Sequence, residues 1–313
     1  MRLFAFLAAD GPAVGLLTED DRVVRISAAD GGLDVALAEG RYDDVADEAL
    51  ARGAEPGVAR EALQPLPALE FPGKVVCVGL NYRDHIEEQH LAMPEQPTLF
   101  AKFGNTIVGD GEPIVRPEGT AALDLEVELA VVIGRRARRT SASAAMDHVA
   151  GYLAVNDVTA RDWQGTKPAL APGQKGDGQW LRAKGSDTFF PIGPVFVSAD
   201  EIPDPHALRL RSWRIPGARG DNQGGDEPGS AIAMQDGTTA DMVWRIPELI
   251  EYISRQITLE PGDIISTGTP SGVGVFRTPP VFLQPGDRVR CEVESIGWVE
   301  NPVVDWTAAR EDD

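Results

Sequence analysis

The stretch LDLEVELAVVIG at residues 123–134 constrains this chain more than any other, because it is strongly apolar and yet carries an acid at every second position. Leu125, Val127 and Leu129 alternate with Asp124, Glu126 and Glu128. In an extended strand, side chains i, i+2 and i+4 share a face, so the spacing predicts three carboxylates on one side and three aliphatic groups on the other. Anions about 7 Å apart along one face repel each other wherever that face is dry. Either water reaches the face or positive charge sits on it. A hard divalent cation such as Mg2+ or Mn2+ meets that demand, since it takes oxygen ligands from a few carboxylates, waters and substrate. Asp157, at the end of the strand-like GYLAVND (151–157), is the next acid placed to reach a neighbouring strand's face. Taken alone, an E-x-E pair is more commonly the solvated side of an antiparallel sheet.

Around this stretch the chain reads as many short strands with scattered helices. KVVCVGL (74–80), PTLFAKF (97–103), AGYLAVNDV (150–158), DIISTG (263–268) and RVRCEVE (288–294) are strand candidates. RLFAFL and DGPAVGLLTEDDRVVRI near the start predict a small meander, followed by acidic, Ala-rich helical material to about Arg60. LQPLPALEFPG (63–73) then brings a cluster of prolines and marks a boundary. The expected organisation is a small N-terminal domain over 1–68, a main domain over 69–307 and a tail over 308–313. Asn81 is expected to cap a helix through NYRDHIEEQH, and IPELIEYISRQITL (246–259) reads as a helix with Ile246, Leu249, Ile250, Ile253 and Ile257 on one face. The fold class is α+β, mainly β. GTKPALAPGQKGDG (165–178) and PGARGDNQGGDEPGS (216–230) are expected to be mobile surface loops, and the terminal EDD frayed.

The formal charge of −20 argues against a nucleic-acid binder, whose affinity rests on phosphate contacts. RRARR at 135–139 is the one dense basic run and reads as a solvated turn. Cys77 and Cys291, each in an apolar strand-like run, are expected to be packed core thiols. No apolar run approaches the ~20 residues of a membrane span, and MRLFAFLAADG is weak as a signal peptide, so a cytoplasmic protein is expected.

EVELAVVIG followed by GYLAVNDVTARDWQ resembles the fumarylacetoacetate hydrolase family. So do VGLNYRDHIEEQ (78–89), PTLFAKF, LRAKGSDTFFPIGP (181–194), STGTPSGVG (266–274) and LQPGDRVRCEVESIGWVENPV (283–303), in the family's order. The resemblance implies a mixed β-sandwich roll with a metal site in its mouth, preceded by a small N-terminal β-rich domain, and it makes a homodimer the expectation. Under it, Glu126, Glu128 and Asp157 match the metal ligands. Asp124 matches none, and is expected either in solvent or supporting the ligands from behind. The likeness places His85 and Glu88, neighbours at i and i+3 on a helix, in a lid over the site, the carboxylate orienting an imidazole suited to base work near neutral pH. Without it, the pair would read as an exposed helical ion pair, and Glu87 and His90 are the decoys of the same segment. Lys184 matches the family's active-site lysine. Arg161 and Gln164 are candidates for gripping a substrate carboxylate, for which a guanidinium fork is suited. Thr269 is a candidate donor in a Gly-rich turn, and Lys102 is expected near the site or in a structural ion pair.

The implied substrates are small 2-oxo acids whose carboxylate and keto oxygens chelate Mg2+ or Mn2+, with enolate charge developing at the keto group. The leading expectation is a metal-dependent hydrolase that cleaves a C–C bond in an acylpyruvate or diketo acid. The alternatives are isomerisation or decarboxylation of an unsaturated 2-oxo dicarboxylate, and a non-catalytic dicarboxylate binder.

Overall fold

Seven consecutive buried residues, Val127–Ile133, form the strand at the centre of the fold. The architecture comes from a computed structural model and is described for residues 1–165, 178–218 and 229–308. In chain order the strands used below are β1 (Arg2–Ala8), β2 (Gly11–Leu17), β3 (Arg22–Arg25), β4 (Val75–Gly79), β5 (Thr98–Lys102), β6 (Val127–Ile133) and β7 (Val149–Asn156). They are followed by β8 (Val195–Ser198), β9 (Arg209–Ile215), β10 (Ile232–Thr238), β11 (Ile264–Ser266), β12 (Arg288–Val293) and β13 (Gly297–Asp305). The helices are α1 (Leu33–Ala38), α2 (Tyr42–Arg52), α3 (Arg83–Glu88), α4 (Arg161–Gln164), α5 (Trp180–Gly185) and α6 (Ile246–Ser254).

A large mixed sheet runs β3-β2-β1-β8-β7-β6-β11-β4-β5. A smaller one runs β10-β9-β12-β13, with the short strand Ile114–Arg116 at its edge. Alternation on β6 decides how they pack. Val127, Leu129, Val131 and Ile133 share one core with Leu210 of β9, Val289, Cys291 and Val293 of β12, and Val299 of β13. Ala130 and Val132 point the other way, into a second core with Cys77, Leu153, Val155 and the apolar faces of α1 and α2. A strand covered on both faces is apolar at almost every position, as β6 is, and Glu128 is its one charged residue. Both cysteines are free and buried.

The N-terminal meander is hydrogen-bonded into this large sheet, with β1 antiparallel to β8 through Arg2↔Val197, Leu3↔Phe196 and Phe4↔Val195. Both cores also take residues from either side of residue 68, so we propose the boundary there as a division of the chain, not of the sheet or its cores. None of the described helices is long and apolar enough to cross a membrane.

Three expectations are corrected. The strand expected over 123–134 is broken: Leu123–Asp124 pairs with Thr159–Ala160, and β6 begins only at Val127. The reason is that side chains replace the ladder there, Asn156 Oδ1 accepting from Glu126 N and Gln235 Oε1 from Val127 N. Asn81 does not cap α3, since Tyr82 holds the cap position. Its side chain instead donates to the carbonyls of Trp244 and Thr267 and accepts from Trp244 N. The helix expected over 246–259 stops at Ser254, so Ile257 lies beyond it, 38% exposed. The arginines of RRARR are exposed, as a solvated turn requires. The expectations for GTKPALAPGQKGDG, PGARGDNQGGDEPGS and the terminal EDD fall largely outside the described residues.

Candidate active site

The carboxylate face of the central strand is dry, and cations sit on it. Asp124, Glu126, Glu128 and Asp157 are all at most 5% exposed. β-Sheet register explains why they meet. Val127 lies opposite Asn156, which puts Asp157, the next residue along, beside Glu126, with Asp157 N donating to Glu126 O at 2.9 Å. Oxygens of Glu126, Glu128 and Asp157 lie within 4.8 Å of one another.

Three buried cations answer them. Lys184, at the end of α5, donates to Glu126 Oε2 at 2.7 Å and to Asp157 Oδ2 at 2.8 Å. Arg161 bonds Asp124 Oδ2 at 2.9 Å through Nε, lies 2.7 Å from Glu126 Oε1 through Nη2, and donates from Nη1 to Gln164 Oε1. Lys102 supports the site from behind. Its Nζ donates to the carbonyls of Val158, Lys184 and Phe189 and sits 2.8 Å from Asp157 Oδ1. Asp124 is therefore neither solvated nor facing the cavity. It accepts from Arg161 and from the backbone N–H groups of Leu125, Gly274 and Val275, and so fixes the guanidinium against Glu126.

The environment divides the carboxylates electrostatically. Burial alone would raise the Glu126 carboxyl, but the charges of Lys184 and Arg161 hold it at about 2. Glu128 is pushed well above the usual carboxylate range, by burial first and then by Asp157 and Glu126, although Ser266 Oγ and Gly268 N both donate to it. Burial would lower the Lys184 ammonium, but Asp157 and Glu126 outweigh it and raise it.

On the opposite side, α3 presents His85, 6% exposed, with Nδ1 at 2.5 Å from Glu88 Oε1. The helix is tied to the Gly-rich turn after β11 at two points. Glu88 Oε2 accepts from Gly272 N, and Asp84 Oδ2 accepts from the backbone and hydroxyl of Ser271. A cavity of about 320 Å³ lies between, lined by His85, Glu126, Glu128, Arg161, Gln164, Lys184 and Thr269 and, further out, by apolar side chains. Glu87 and His90 are exposed.

Residues 74–304 match the family described as Fumarylacetoacetate (FAA) hydrolase C-terminal. The chain belongs to the fumarylacetoacetate hydrolase family. Among the relatives of this family member, the human (Homo sapiens) protein named "Oxaloacetate tautomerase FAHD2A, mitochondrial" is 40% identical over 311 residues, covering 97% of this chain and 92% of that one. The solved 2-hydroxyhepta-2,4-diene-1,7-dioate isomerase from Mycobacterium marinum superposes with a TM-score of 0.70 at 32% identity, over 98% of this chain and 99% of its own. A fumarylacetoacetate hydrolase from Exiguobacterium antarcticum gives 0.75 at 32% identity, over 97% and 99%. The fold is thus the mainly β one of the fumarylacetoacetate hydrolase family.

The acid triad of this family member fits a divalent ion. All three donors are hard carboxylate oxygens, and buried Asp157 Oδ1 has no aligned hydrogen bond despite the nearby Lys102. Two substrate-binding candidates are more committed than the sequence suggested. Thr269 Oγ1 already donates to Val127 O and accepts from Gln235 Nε2, so its proton is not offered to the cavity. The Arg161 guanidinium is held by Asp124, Glu126 and Gln164, and would have to exchange a partner to grip a substrate.

Sequence reasoning missed Gln235, which is 2% exposed. Its Oε1 accepts from Val127 N and Ser212 Oγ, and its Nε2 donates to Thr269 Oγ1 and Pro270 O. It pins the backbone between two ligand candidates to the turn after β11. Nothing in AMQDGT marks it, because an inward-facing glutamine looks like any polar strand residue. Gln235→Leu leaves these groups unpaired and is expected to cost about 1–3 kcal/mol per orphaned group, read by urea unfolding. Unchanged stability would remove Gln235 as the pin.

Proposed function

We propose that this chain is a divalent-metal-dependent enzyme that interconverts the keto and enol forms of a small 2-oxo acid, with an oxaloacetate-class dicarboxylate as the substrate to test first. The observation that carries this reading is the placement of His85, hydrogen-bonded to Glu88, on the same cavity as Glu126 and Glu128 of the acid cluster with Asp157. The name of the human relative supports the choice of substrate.

When bound by Glu126, Glu128 and Asp157, the ion supplies Lewis acidity toward the keto and carboxylate oxygens of a 2-oxo acid. The chain's own residues do the rest. Glu88 accepts the Nδ1 proton of His85 and fixes the tautomer, which leaves Nε2 as the base for a proton on C3. Lys184 places an ammonium beside the ligands, where negative charge on the former keto oxygen is stabilised in a water-poor setting. With all four buried carboxylates ionised against three buried cations the cluster is one charge negative, and a bound dication would make it one positive. An anionic substrate is then attracted. Arg161 and Gln164 are proposed to orient its carboxylate.

The test is the decay of enol-oxaloacetate absorbance with Mg2+ and with EDTA. Acceleration that EDTA removes supports the reading, and no acceleration overturns it. The same His85–Glu88 pair could activate water, which keeps C–C hydrolysis of an acylpyruvate as the second reading, with release of pyruvate and a carboxylic acid as its signature. Stabilisation by oxalate with turnover of neither substrate would point to a binder. A homodimer is the proposed assembly, checked by sedimentation.

A pH dependence follows from Glu128. Its raised value means that, between the usual carboxylate range and that value, it is protonated in the metal-free fold and ionised in the unfolded chain. Stability of the metal-free fold therefore falls as pH rises through this window. Metal binding must expel that proton, so Mg2+ affinity rises with pH over the same window. Calorimetry in buffers of different ionisation enthalpy should show about one proton released per ion, and a buffer-independent heat would contradict it.

A further inference from the structure

The cavity lining mixes two chemistries. Glu126, Glu128, Arg161 and Lys184 are charged, while Val78, Leu80, Leu91, Phe100, Trp180 and Phe276 are apolar. Phe100 and Trp180 meet edge to face at 5.5 Å, and Phe276 meets the His85 ring edge to face at 5.9 Å. Phe100 brings the apolar lining up to the charged one, its ring lying 4.9 Å from Lys184 Nζ. It can do so because Phe100 and Lys102 alternate onto one face of β5, the edge strand of the large sheet. Leu80, which turns the chain from β4 toward α3, has a left-handed backbone with φ at 56°. A branched aliphatic residue rarely holds that conformation unless its surroundings impose it, and such strain gathers at ligand sites.

Size and polarity both bear on what fills the apolar part. The cavity of about 320 Å³ extends past the acid cluster to Leu91 and Trp180. Among the described residues lining the cavity, the cations are Arg161 and Lys184, and both are already held by buried carboxylates. An aryl or branched alkyl group would cover Trp180 and Leu91, which are 39% and 49% exposed.

We propose that this site also tautomerises 2-oxo acids that carry an aryl or branched alkyl group on C3, the group resting on the Phe100–Trp180 pair. The inference rests on the keto–enol reading of the site. The step balances without a co-reactant: the C3–H bond breaks, its electron pair forms the C2–C3 double bond, the carbonyl pair moves to oxygen, and oxygen takes up a proton. The reverse order restores the ketone.

The experiment compares enol-to-keto conversion of phenylpyruvate and of oxaloacetate by the full chain with Mg2+. Phenylpyruvate is expected to be converted with the lower KM. Trp180→Ala is expected to reduce the ratio of kcat/KM for phenylpyruvate over oxaloacetate by about ten- to 200-fold, the range for losing apolar pocket contacts. Trp180→Phe should recover most of that ratio, which a general loss of folding would not allow. Conversion of oxaloacetate but not phenylpyruvate would overturn this inference and leave the site reading standing. Conversion of neither would overturn both. A ratio unmoved by Trp180→Ala would remove the Phe100–Trp180 pair as the recognition element.

Discussion

His85→Ala is expected to lower kcat for enol–keto conversion by about 10²–10⁴-fold, the usual contribution of a positioned acid–base group, while Mg2+ still binds. The separation of effects follows from the geometry. His85 comes from α3 and bonds Glu88, whereas the three ligand candidates lie on and beside β6 and β7 and are fixed by Arg161, Lys184, Lys102, Ser266 and Gly268. Calorimetric titration with Mg2+ and a stopped-flow trace of the same preparation check both halves. A variant that keeps its kcat would show that another group moves the proton. Glu88→Gln should lose less, because the amide can still accept from Nδ1 but no longer stabilises an imidazolium. Since Glu88 also accepts from Gly272 N, part of that loss should come from a looser α3.

The second large effect is expected of Glu126→Gln, which should abolish measurable Mg2+ binding and turnover together and also destabilise the fold. Glu126 lies 2.7 Å from both Lys184 Nζ and Arg161 Nη2, all three side chains being at most 7% exposed. Removing one partner of a buried ion pair costs about 3–5 kcal/mol, because the remaining charge has lost its compensation without regaining water. The loss here should fall toward the lower end. Lys184 keeps Asp157 and Arg161 keeps Asp124. Urea unfolding of the metal-free variant measures the stability term, and a calorimetric titration the metal term. Mg2+-dependent turnover by Glu126→Gln would exclude the triad as the metal site.

Part of this was legible in the sequence. Alternation along 123–134 separated the carboxylates from Leu125, Val127 and Leu129, and the structure keeps those three aliphatic residues in one core. Spacing of i and i+3 brought His85 to Glu88, because helical geometry is local. The apolar runs located most strands. Local pattern failed where a distant side chain took over a backbone group. The ladder breaks at Glu126 because Asn156 and Gln235 accept its N–H and that of Val127. Asn81 looked like a helix cap but is spent on Trp244 and Thr267.

The sequence by itself determined the chemistry available: hard oxygen donors on one strand face, an imidazole with a carboxylate one helical turn away, and lysines and arginines to balance them. Only the tertiary structure decided how that chemistry is deployed. Sheet register set Asp157 beside Glu126, and pairing with Lys184 and Arg161 then separated Glu126 from the equally buried Glu128. Packing of β5 and α5 set the Phe100–Trp180 pair beside Lys184. The physical reason is one of range. Periodicity encodes which face a side chain takes, whereas pairing, desolvation and cavity shape depend on residues far apart in the chain.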